Sequence, residues 1–359
     1  MKELNQICFY AKDRIDISLL NEKTYISTEN MLQNKEGVTI SSNIPNVGKT
    51  QAYKKGDILI SNIRPYFKKI WYATWDGGCS GDVLVIRAKQ GISSRYLYTI
   101  LSDDRFFNYS MASSKGTKMP RGDKESIMKY RIPDFNPEEQ GKISKIIFDI
   151  NDKIRINNGI NDNLQQQAFA LFEEKFPNIR DGEFRIGDYL SPKRGKNLLT
   201  KDAVLGNVPV VAGGLEPSTY HNKSNTGSPV ITISASGANA GFVNLWNVPV
   251  WSSDSSFIDE SITRNVYFWY VLLKKRQKEI YDSQTGSAQA HIYPKHIEVM
   301  PMVKINDDCM NSFNELVSPL FMTIGKNNIR NKILSDLRDT LLPKLMSGEI
   351  DVSNIKLDL

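Results

Sequence analysis

The sequence predicts an α+β fold in which two pseudo-repeated α/β domains are joined by two long antiparallel helices that form a coiled-coil spacer. Apolar residues recur at three- and four-residue steps in residues 143–171 and again in residues 313–341, which is the pattern of amphipathic helices. The two stretches keep the same register at an offset of about 170 residues, and the segments that precede them also align. A repeated unit that ends in a long helix predicts a pseudo-symmetric protein with two heads.

The domain boundaries follow from the places where strand patterns give way to helical ones. We expect domains at residues 1–136 and 178–304, a first long helix at residues 137–177, and a second long helix with a tail at residues 305–359. Asn136 is expected to cap the first helix, because Asn is a favourable N-cap and a proline and two glutamates follow it. Pro177 is expected to end that helix.

Within the first domain, alternating β-branched and aromatic residues predict strands in residues 56–67 and 80–88. Helical spacing predicts one helix over residues 95–112. The second domain follows the same plan, with one helix expected over residues 266–280.

Residues 70–86 align without gaps on residues 242–258, which places Asp82 on Asp254. In the second long helix, Pro319 removes a hydrogen bond and is expected to kink the first third.

An apolar helical stripe is usually part of an ordinary core, but these two stripes are unusually long and equal in length. A coiled coil between them is therefore expected, with Asn157 and Asn327 fixing its register at some cost in stability. The stripes also include Ile160, Leu316 and Leu337. The positions predicted to form the interface between the helices, or with a partner, are Ile143, Ile150, Asn157, Leu164, Leu171, Leu320, Asn327, Leu334 and Leu341.

The composition bounds the class of protein. The chain has 359 residues, of which 40% are hydrophobic and 24% charged, as in ordinary globular proteins. It has no run of eighteen apolar residues and no signal-peptide core, and its three cysteines lie far apart, so a cytoplasmic location is the default expectation. The net charge of +6 is compatible with a polyanionic partner.

No motif predicts catalysis, a metal site or a bound cofactor. The segment Asn46–Thr50 resembles part of a phosphate-binding loop, but Asn43 stands where the first glycine is needed. The three histidines lie near no cysteine or carboxylate at metal-ligand spacing. We find neither a dinucleotide fingerprint nor the motif of an amino-methyltransferase, and the glycine-rich residues 234–241 have no partner base, which favours a loop.

Basic and polar clusters recur in both domains and favour contact with DNA, because each phosphate contact releases counterions. Gln and His in the second domain could read base edges. The alternative, that these clusters are solvated surface, stays open. The candidate DNA-binding residues are Arg64, Lys68, Lys69, Lys115, Lys118, Arg121, Lys193, Arg194, Lys196, Lys274, Lys275, Gln289 and His291.

Several segments together resemble the DNA-specificity subunit (S subunit) of Type I restriction-modification systems. Residues 341–352 resemble its C-terminal conserved ending, and residues 132–140 followed by the first long helix resemble its central conserved region. Residues 184–188 with Arg194-Gly195-Lys196 resemble the opening of a target recognition domain, and residues 25–32 are similar to a stretch of first recognition domains. The resemblance covers essentially the whole chain.

The resemblance implies that each recognition domain reads one half of a bipartite, asymmetric target in double-stranded DNA. It further implies two modification subunits, which form an adenine methyltransferase that uses S-adenosylmethionine, and restriction subunits in the full complex that defends a bacterium against foreign DNA. The chain itself would bind no cofactor and would not be catalytic. Recognition domains vary within the family, so no base-reading residue carries over. The alternative function is a non-catalytic two-headed scaffold that binds other proteins through its coiled coil.

Overall fold

The computed structural model describes residues 1–46, 48–286 and 289–355, so Val47, Ser287, Ala288 and the last part of the predicted tail lie outside the described residues. Contacts divide the chain into two compact units. Unit 1 comprises Met1–Ile154 and Lys332–Leu359, and unit 2 comprises Arg155–Asn331. The predicted boundaries at residues 136, 177 and 304 follow the elements, whereas contacts divide the chain within both long helices.

Unit 1 combines sheets with short helices. Its strands are β1 Lys2–Glu3, β2 Cys8–Tyr10, β3 Arg14–Asp16, β4 Tyr25–Ile26, β5 Lys49–Tyr53, β6 Ile58–Ser61, β7 Ile70–Tyr72, β8 Gly77–Cys79, β9 Val83–Ala88 and β10 Arg131–Ile132. Its helices are α1 Ser94–Leu101, α2 Asp104–Ala112, α3 Lys124–Met128 and the first part of α4 Pro137–Lys175. One sheet has the order β2-β9-β6-β7, another has the order β3-β5-β8-β4, and β1 pairs with β10.

Unit 2 is built on the same plan. Its strands are β11 Phe184–Arg185, β12 Lys193–Arg194, β13 Val208–Val211, β14 Thr219–His221, β15 Val230–Ser234, β16 Val243–Trp246, β17 Trp251–Ser252, β18 Ser255–Asp259 and β19 Pro301–Met302. Its helices are the last part of α4, then α5 Val266–Lys275, α6 Gln277–Asp282, α7 Pro294–Glu298 and the first part of α8 Asp307–Ser347. The sheets have the orders β12-β18-β15-β16 and β14-β13-β17, and β11 pairs with β19.

The four-stranded sheets β2-β9-β6-β7 and β12-β18-β15-β16 confirm the predicted internal repeat. In both, neighbouring strands are antiparallel and the strands correspond one to one in chain order. The predicted gapless alignment also holds in the structure, because β9 starts one residue after Asp82 and β18 starts one residue after Asp254. Strand β6 is buried along its whole length, as is β15, which explains their unbroken apolar character.

The predicted single helices over residues 95–112 and 266–280 are each divided in two. Between α1 and α2, the buried Asp103 accepts a hydrogen bond from the backbone N–H of Arg105 at 2.8 Å, which caps a new helix. Between α5 and α6, the buried Arg276 donates to the carbonyl oxygen of Pro301 at 2.7 Å. Helical periodicity did not predict these two breaks, because the apolar spacing continues across them.

The two long helices match the predicted ends closely. At the start of α4, Asn136 and Glu139 exchange side-chain and backbone hydrogen bonds at 2.9 Å, which is a capping box. The helix ends at Lys175, two residues before Pro177. In α8, Asn306 accepts from the backbone N–H of Cys309 at 2.8 Å, and the helix is continuous through Pro319.

Burial along these helices differs in part from the predicted stripe. Ile143, Asn157 and Asn327 are buried, whereas six predicted interface residues are only half-buried, namely Ile150, Leu164, Leu171, Leu320, Leu334 and Leu341. Ile160, Leu316 and Leu337 are exposed by 42%, 46% and 44%, which corrects their assignment to a buried stripe. A straight α-helix drifts by about 20° per heptad, so neighbouring positions such as Phe172, Val317 and Leu342 become the buried ones.

Within unit 2, α4 and α8 pack antiparallel through a network of asparagine side chains. Asn157 donates to Asn331 at 2.7 Å, and Asn327 donates to Asn161 at 2.9 Å. Asn161 donates to Asn328 at 2.9 Å, and Asn331 donates to Asn158 at 2.7 Å. The offset between the repeats makes Asn157 equivalent to Asn327, Asn158 to Asn328 and Asn161 to Asn331. Exchanging equivalent residues converts the first hydrogen bond into the second and the third into the fourth. The network therefore has the pseudo-two-fold symmetry that the sequence predicts.

The apolar cores lie between the sheets, the short helices and the long helices of each unit. In unit 1, Ile143 and Ile147 of α4 and Leu342 of α8 pack with residues of β6 and β9. In unit 2, Phe172 of α4 and Phe313 of α8 pack with α5, β15 and β18. Over the described residues, no helix combines the length and apolar character that crossing a membrane would need.

Candidate nucleic-acid interface

Each repeat carries a short hairpin next to the end of a central strand, at equivalent positions. In repeat 1, Lys115 and Arg121 exchange backbone hydrogen bonds at 2.9 and 3.0 Å. In repeat 2, Thr285 and His291 do the same at 3.1 and 2.8 Å. Gly116 and Gly286 begin the turns with φ of +92° and +103°, a backbone conformation that favours glycine. We call Lys115–Arg121 hairpin 1, and we call the described residues 285–286 and 289–291 hairpin 2.

Hairpin 1 is strongly basic. Lys115 is exposed and donates to Asp123 at 2.8 Å, and this bond raises the pKa of the lysine. Lys118 is exposed, and it makes no ion pair with any residue that the structure describes. Arg121 donates from Nη2 to Asp82 at 3.1 Å, and its side chain is 54% exposed. Three predicted DNA-binding cations therefore lie together on one exposed turn.

The cluster of Arg64, Lys68 and Lys69 is more constrained than the predicted free basic surface. Arg64 and Lys68 have left-handed backbones at φ +48° and +50°, on either side of the turn 65–67. Lys68 is paired with Asp104 at 2.6 Å, and Lys69 donates to the carbonyl oxygen of Thr28 at 2.7 Å. Burial and then the charge of Arg64 lower the pKa of Lys69. The ammonium groups of Lys68 and Lys69 are therefore already bound by acceptors of the chain itself.

In repeat 2, the charged surface lies on β12 rather than on the hairpin. Arg194 donates to Asp254 at 2.7 Å, with 42% of the arginine side chain and 34% of the aspartate side chain exposed. Ser236 donates to the other oxygen of the same carboxylate. Lys193 and Lys196 are exposed on either side of this pair, and Lys193 donates to the hydroxyl of Ser261 at 3.2 Å.

An open cleft of about 420 Å³ adjoins the Arg194–Asp254 pair, and its other lining residues are Gly195, Asn197 and Ser253. A side chain at Gly195 would place its Cβ 2.5 Å from the carbonyl oxygen of Ser252, so only glycine fits there. The cleft is lined mainly by hydrogen-bonding groups, and Arg and Asn are side chains that commonly contact base edges.

Lys274 and Lys275, two further candidate DNA-binding residues, are each held by an acceptor of unit 2. Lys274 donates to the carbonyl oxygen of Val243 at 2.8 Å and lies 4.3 Å from the ring centroid of Phe242. Burial lowers the pKa of Lys274. Lys275 pairs with Glu173 of α4. Neighbouring acceptors in unit 2 therefore already bind both of these lysines.

Hairpin 2 is polar rather than basic. Gln289 is exposed, and His291 is half-buried. The ring of His291 stacks near Tyr293 at 6.0 Å, and Tyr293 stacks near His296 at 5.7 Å. Aromatic rings beside amide and imidazole groups can contact bases but cannot neutralise phosphates as lysine does.

Sequence reasoning named the arginines of this surface but missed their acidic partners. Asp82 and Asp254 were recognised as equivalent positions and were not named as site residues. Their pairing with Arg121 and Arg194 depends on contacts between residues that are 39 and 60 positions apart in the chain. Asn197 and Ser253 were likewise not predicted.

Comparison with known proteins gives three sequence findings. Residues 1–166 match the family described as Type I restriction modification DNA specificity domain. The chain is 26% identical to the Type I restriction enzyme MjaIX specificity subunit of Methanocaldococcus jannaschii, covering 74% of this chain and 71% of that protein. It is 30% identical to the HindI specificity subunit of Haemophilus influenzae, covering 59% of this chain and 49% of that protein.

Among solved structures, the chain is similar to the Type-I restriction-modification system S subunit from M. genitalium. The TM-score is 0.50 at 16% sequence identity, and the similarity covers 96% of this chain and 95% of that one. At this identity the similarity concerns the fold alone.

Proposed function

We propose that each of the two repeats of this chain reads one half of a bipartite, asymmetric target in double-stranded DNA. The similarity of the chain to Type I restriction-modification DNA specificity subunits supports sequence-specific recognition of DNA. One observation carries this proposal. The same sheet order presents a hairpin at the same place in each repeat, yet the side chains differ. A basic hairpin 1 and a polar hairpin 2 suit two different half-sites.

The division of the target follows from what each surface can contact. Hairpin 1 offers the exposed cation Lys118, which suits a phosphate contact, and the exposed Arg121, which suits a contact with a base edge. The cleft of repeat 2 offers Arg194 and Asn197, and hairpin 2 adds Gln289, so base contacts are expected to predominate there. A single surface that read a symmetric target would need the same side chains twice.

The chain is proposed to be non-catalytic and to bind no cofactor. Burial raises the pKa of Cys8 and Cys79 to about 12, so neither thiol is poised as a nucleophile near neutral pH. S-adenosylmethionine would be bound by the modification subunits, and restriction subunits would complete the assembly. A cytoplasmic location also stays a prediction.

The two long helices are the proposed docking surface for two modification subunits. Several of their large apolar side chains face solvent instead of the helix interface, where a partner could cover them. Their exposed fractions are 48% for Ile156, 52% for Met322, 47% for Ile329 and 61% for Ile333. A partner that covers them would gain the free energy of apolar burial.

Reconstitution of the chain with its modification subunits tests this function. The chain alone, the modification subunits alone and the mixture would be assayed for methyl transfer from S-adenosylmethionine to DNA of random and genomic sequence. We expect transfer only in the mixture, at one bipartite sequence. Methyl transfer by the chain alone would contradict the non-catalytic role. A mixture that bound and methylated DNA without sequence preference would favour a protein-binding scaffold instead.

A further inference from the structure

Equivalent aspartates in the two repeats hold exposed arginines that come from different elements. Asp82 directly precedes β9 and pairs with Arg121 of hairpin 1. Asp254 directly precedes β18 and pairs with Arg194 of β12. Both repeats therefore have an aspartate at the equivalent position. The arginine that pairs with it comes from a hairpin in repeat 1 and from a strand in repeat 2. At the hairpin position of Arg121, repeat 2 has His291 instead.

Stability does not account for this recurrence. An exposed ion pair contributes little to folding, because water and salt screen it and two side chains lose freedom. In both pairs the arginine side chain is more than two-fifths exposed, at 54% for Arg121 and 42% for Arg194. The surroundings are also open. Gly81, in the place of Ser253, would meet nothing within 4 Å if it carried a Cβ.

Electrostatics favour base edges over phosphates as the ligand of each pair. A phosphate next to Asp82 or Asp254 would be repelled by the carboxylate, whereas a base edge that donates a hydrogen bond would be attracted. In the major groove, a G·C pair presents two acceptors on guanine and one amino donor on cytosine. Arginine supplies donors to guanine, and aspartate accepts from the cytosine amino group. A paired arginine and aspartate therefore complement both bases of one G·C pair.

The remaining hydrogen-bonding capacity is sufficient for this role. Arg194 uses Nη2 to reach Asp254, and a guanidinium has five N–H donors. Asp254 accepts from Arg194 on Oδ1 and from Ser236 on Oδ2, and each carboxylate oxygen can accept a further bond. The two contacts fix the carboxylate before DNA arrives, which orients the arginine towards the cleft that also contains Asn197.

We propose that Arg121–Asp82 and Arg194–Asp254 are reading pairs, each recognising one G·C base pair in the major groove of the half-site that its own repeat contacts. This inference rests on the proposed function, because it assumes that each repeat reads one half-site. It names the residues that determine specificity and the base pair that they select.

Selection from randomised double-stranded DNA tests the proposal with the full chain assembled with its modification subunits. Asp82→Asn, Asp254→Asn, Arg121→Gln and Arg194→Gln would be compared with the unchanged protein by sequencing the bound DNA. Each substitution is expected to reduce the preference for G·C at one position of one half-site by about 5- to 150-fold. Both members of a pair should affect the same position, and the other half-site should be unchanged.

Matched controls separate this effect from the loss of any exposed charge. Asp134→Asn in unit 1 and Asp282→Asn in unit 2 each remove the carboxylate of another exposed ion pair, with Lys2 and Lys278. Neither control should alter the selected sequence. Melting temperatures would be measured for every variant. If an aspartate variant unfolds, the Arg→Gln variant of the same pair tests the inference. Both arginines are exposed, so these variants are expected to fold.

The outcomes distinguish this inference from the proposed function. If the unchanged protein selected no sequence, the proposed function would fail. If it selected a bipartite target and all four variants retained both half-sites, the reading-pair inference alone would be wrong. A uniform loss of affinity without a change in base preference would assign the arginines to phosphate contacts and would also overturn the inference.

Discussion

The two repeats share their framework and differ in the side chains that it presents. The central sheets have the same strand order, and each repeat places a glycine-initiated hairpin beside the end of its central strand. In repeat 1 that hairpin carries Lys115, Lys118 and Arg121, whereas in repeat 2 the arginine comes from β12. Backbone geometry is therefore preserved where it builds the sheet. Chemistry is varied where the surface meets solvent, which suits a protein that reads two unlike half-sites.

The units also differ in how they enclose the long helices. Unit 2 packs Phe172, Phe176 and Phe313 together, with ring centroids 5.1 to 5.6 Å apart. Applying the offset between the repeats places Leu342 of unit 1 at the position of Phe172. That leucine is 1% exposed in the core of unit 1. The same helical position is thus aromatic in one unit and aliphatic in the other.

The largest expected effect comes from removing one of these side chains. Phe172→Ala should destabilise unit 2 by about 3–5 kcal/mol, because a phenyl ring is lost from a buried cluster and a cavity remains. Leu342→Ala should destabilise unit 1 by about 2–5 kcal/mol for the same reason. Hydrogen exchange measured by mass spectrometry would report each unit through its own peptides. Unchanged exchange in α5 of Phe172→Ala would contradict the packing described here.

The asparagine network provides a sharper comparison, because its symmetry predicts equal effects. Asn157→Ala and Asn327→Ala should each destabilise unit 2 by about 1 kcal/mol, since each breaks one side-chain hydrogen bond in the network. Asn163→Ala, at an exposed position of α4, controls for the higher helix propensity of alanine. Thermal melting would compare the three variants. A large difference between the melting temperatures of Asn157→Ala and Asn327→Ala would mean that the two halves of the network do not contribute equally to stability.

The smallest expected effect concerns the charge of hairpin 1. Lys118→Glu should weaken binding to all DNA sequences and reduce the salt slope of log K by about one unit, because one phosphate contact is lost. Lys153→Glu on α4 makes the same change of charge at another exposed position and should leave the slope unchanged. Binding isotherms at several salt concentrations would measure both. Equal slopes in the two variants would assign Lys118 to solvated surface.

Much of the fold could be predicted because it depends on local and periodic signals. Helical spacing and N-cap chemistry located α4 and α8, and the offset between the stripes revealed the repeat. The interruption at Asp103 escaped prediction because it depends on a side chain that turns back on its own backbone. The exposure of Ile160 and Leu337 also escaped, because the helix interface drifts from the heptad positions.

The candidate site was less predictable because charge alone does not tell a free cation from a paired one. Lys118 and Lys274 are both lysines in basic segments of the sequence. Lys118 is exposed, whereas Lys274 donates to a backbone carbonyl inside unit 2. Asp82 and Asp254 lacked any local signal, since their partners come from distant parts of the chain. Only tertiary contacts identify such pairs.

Replacement of residues 183–303 tests most directly whether each repeat reads its own half of the target. The segment would be exchanged for the corresponding segment of a specificity subunit that reads a different sequence, and the methylated sites would be mapped by sequencing in a host that expresses the modification subunits. We predict that one half-site changes completely while the other half-site stays the same. A change in both half-sites, or in neither, would contradict the account.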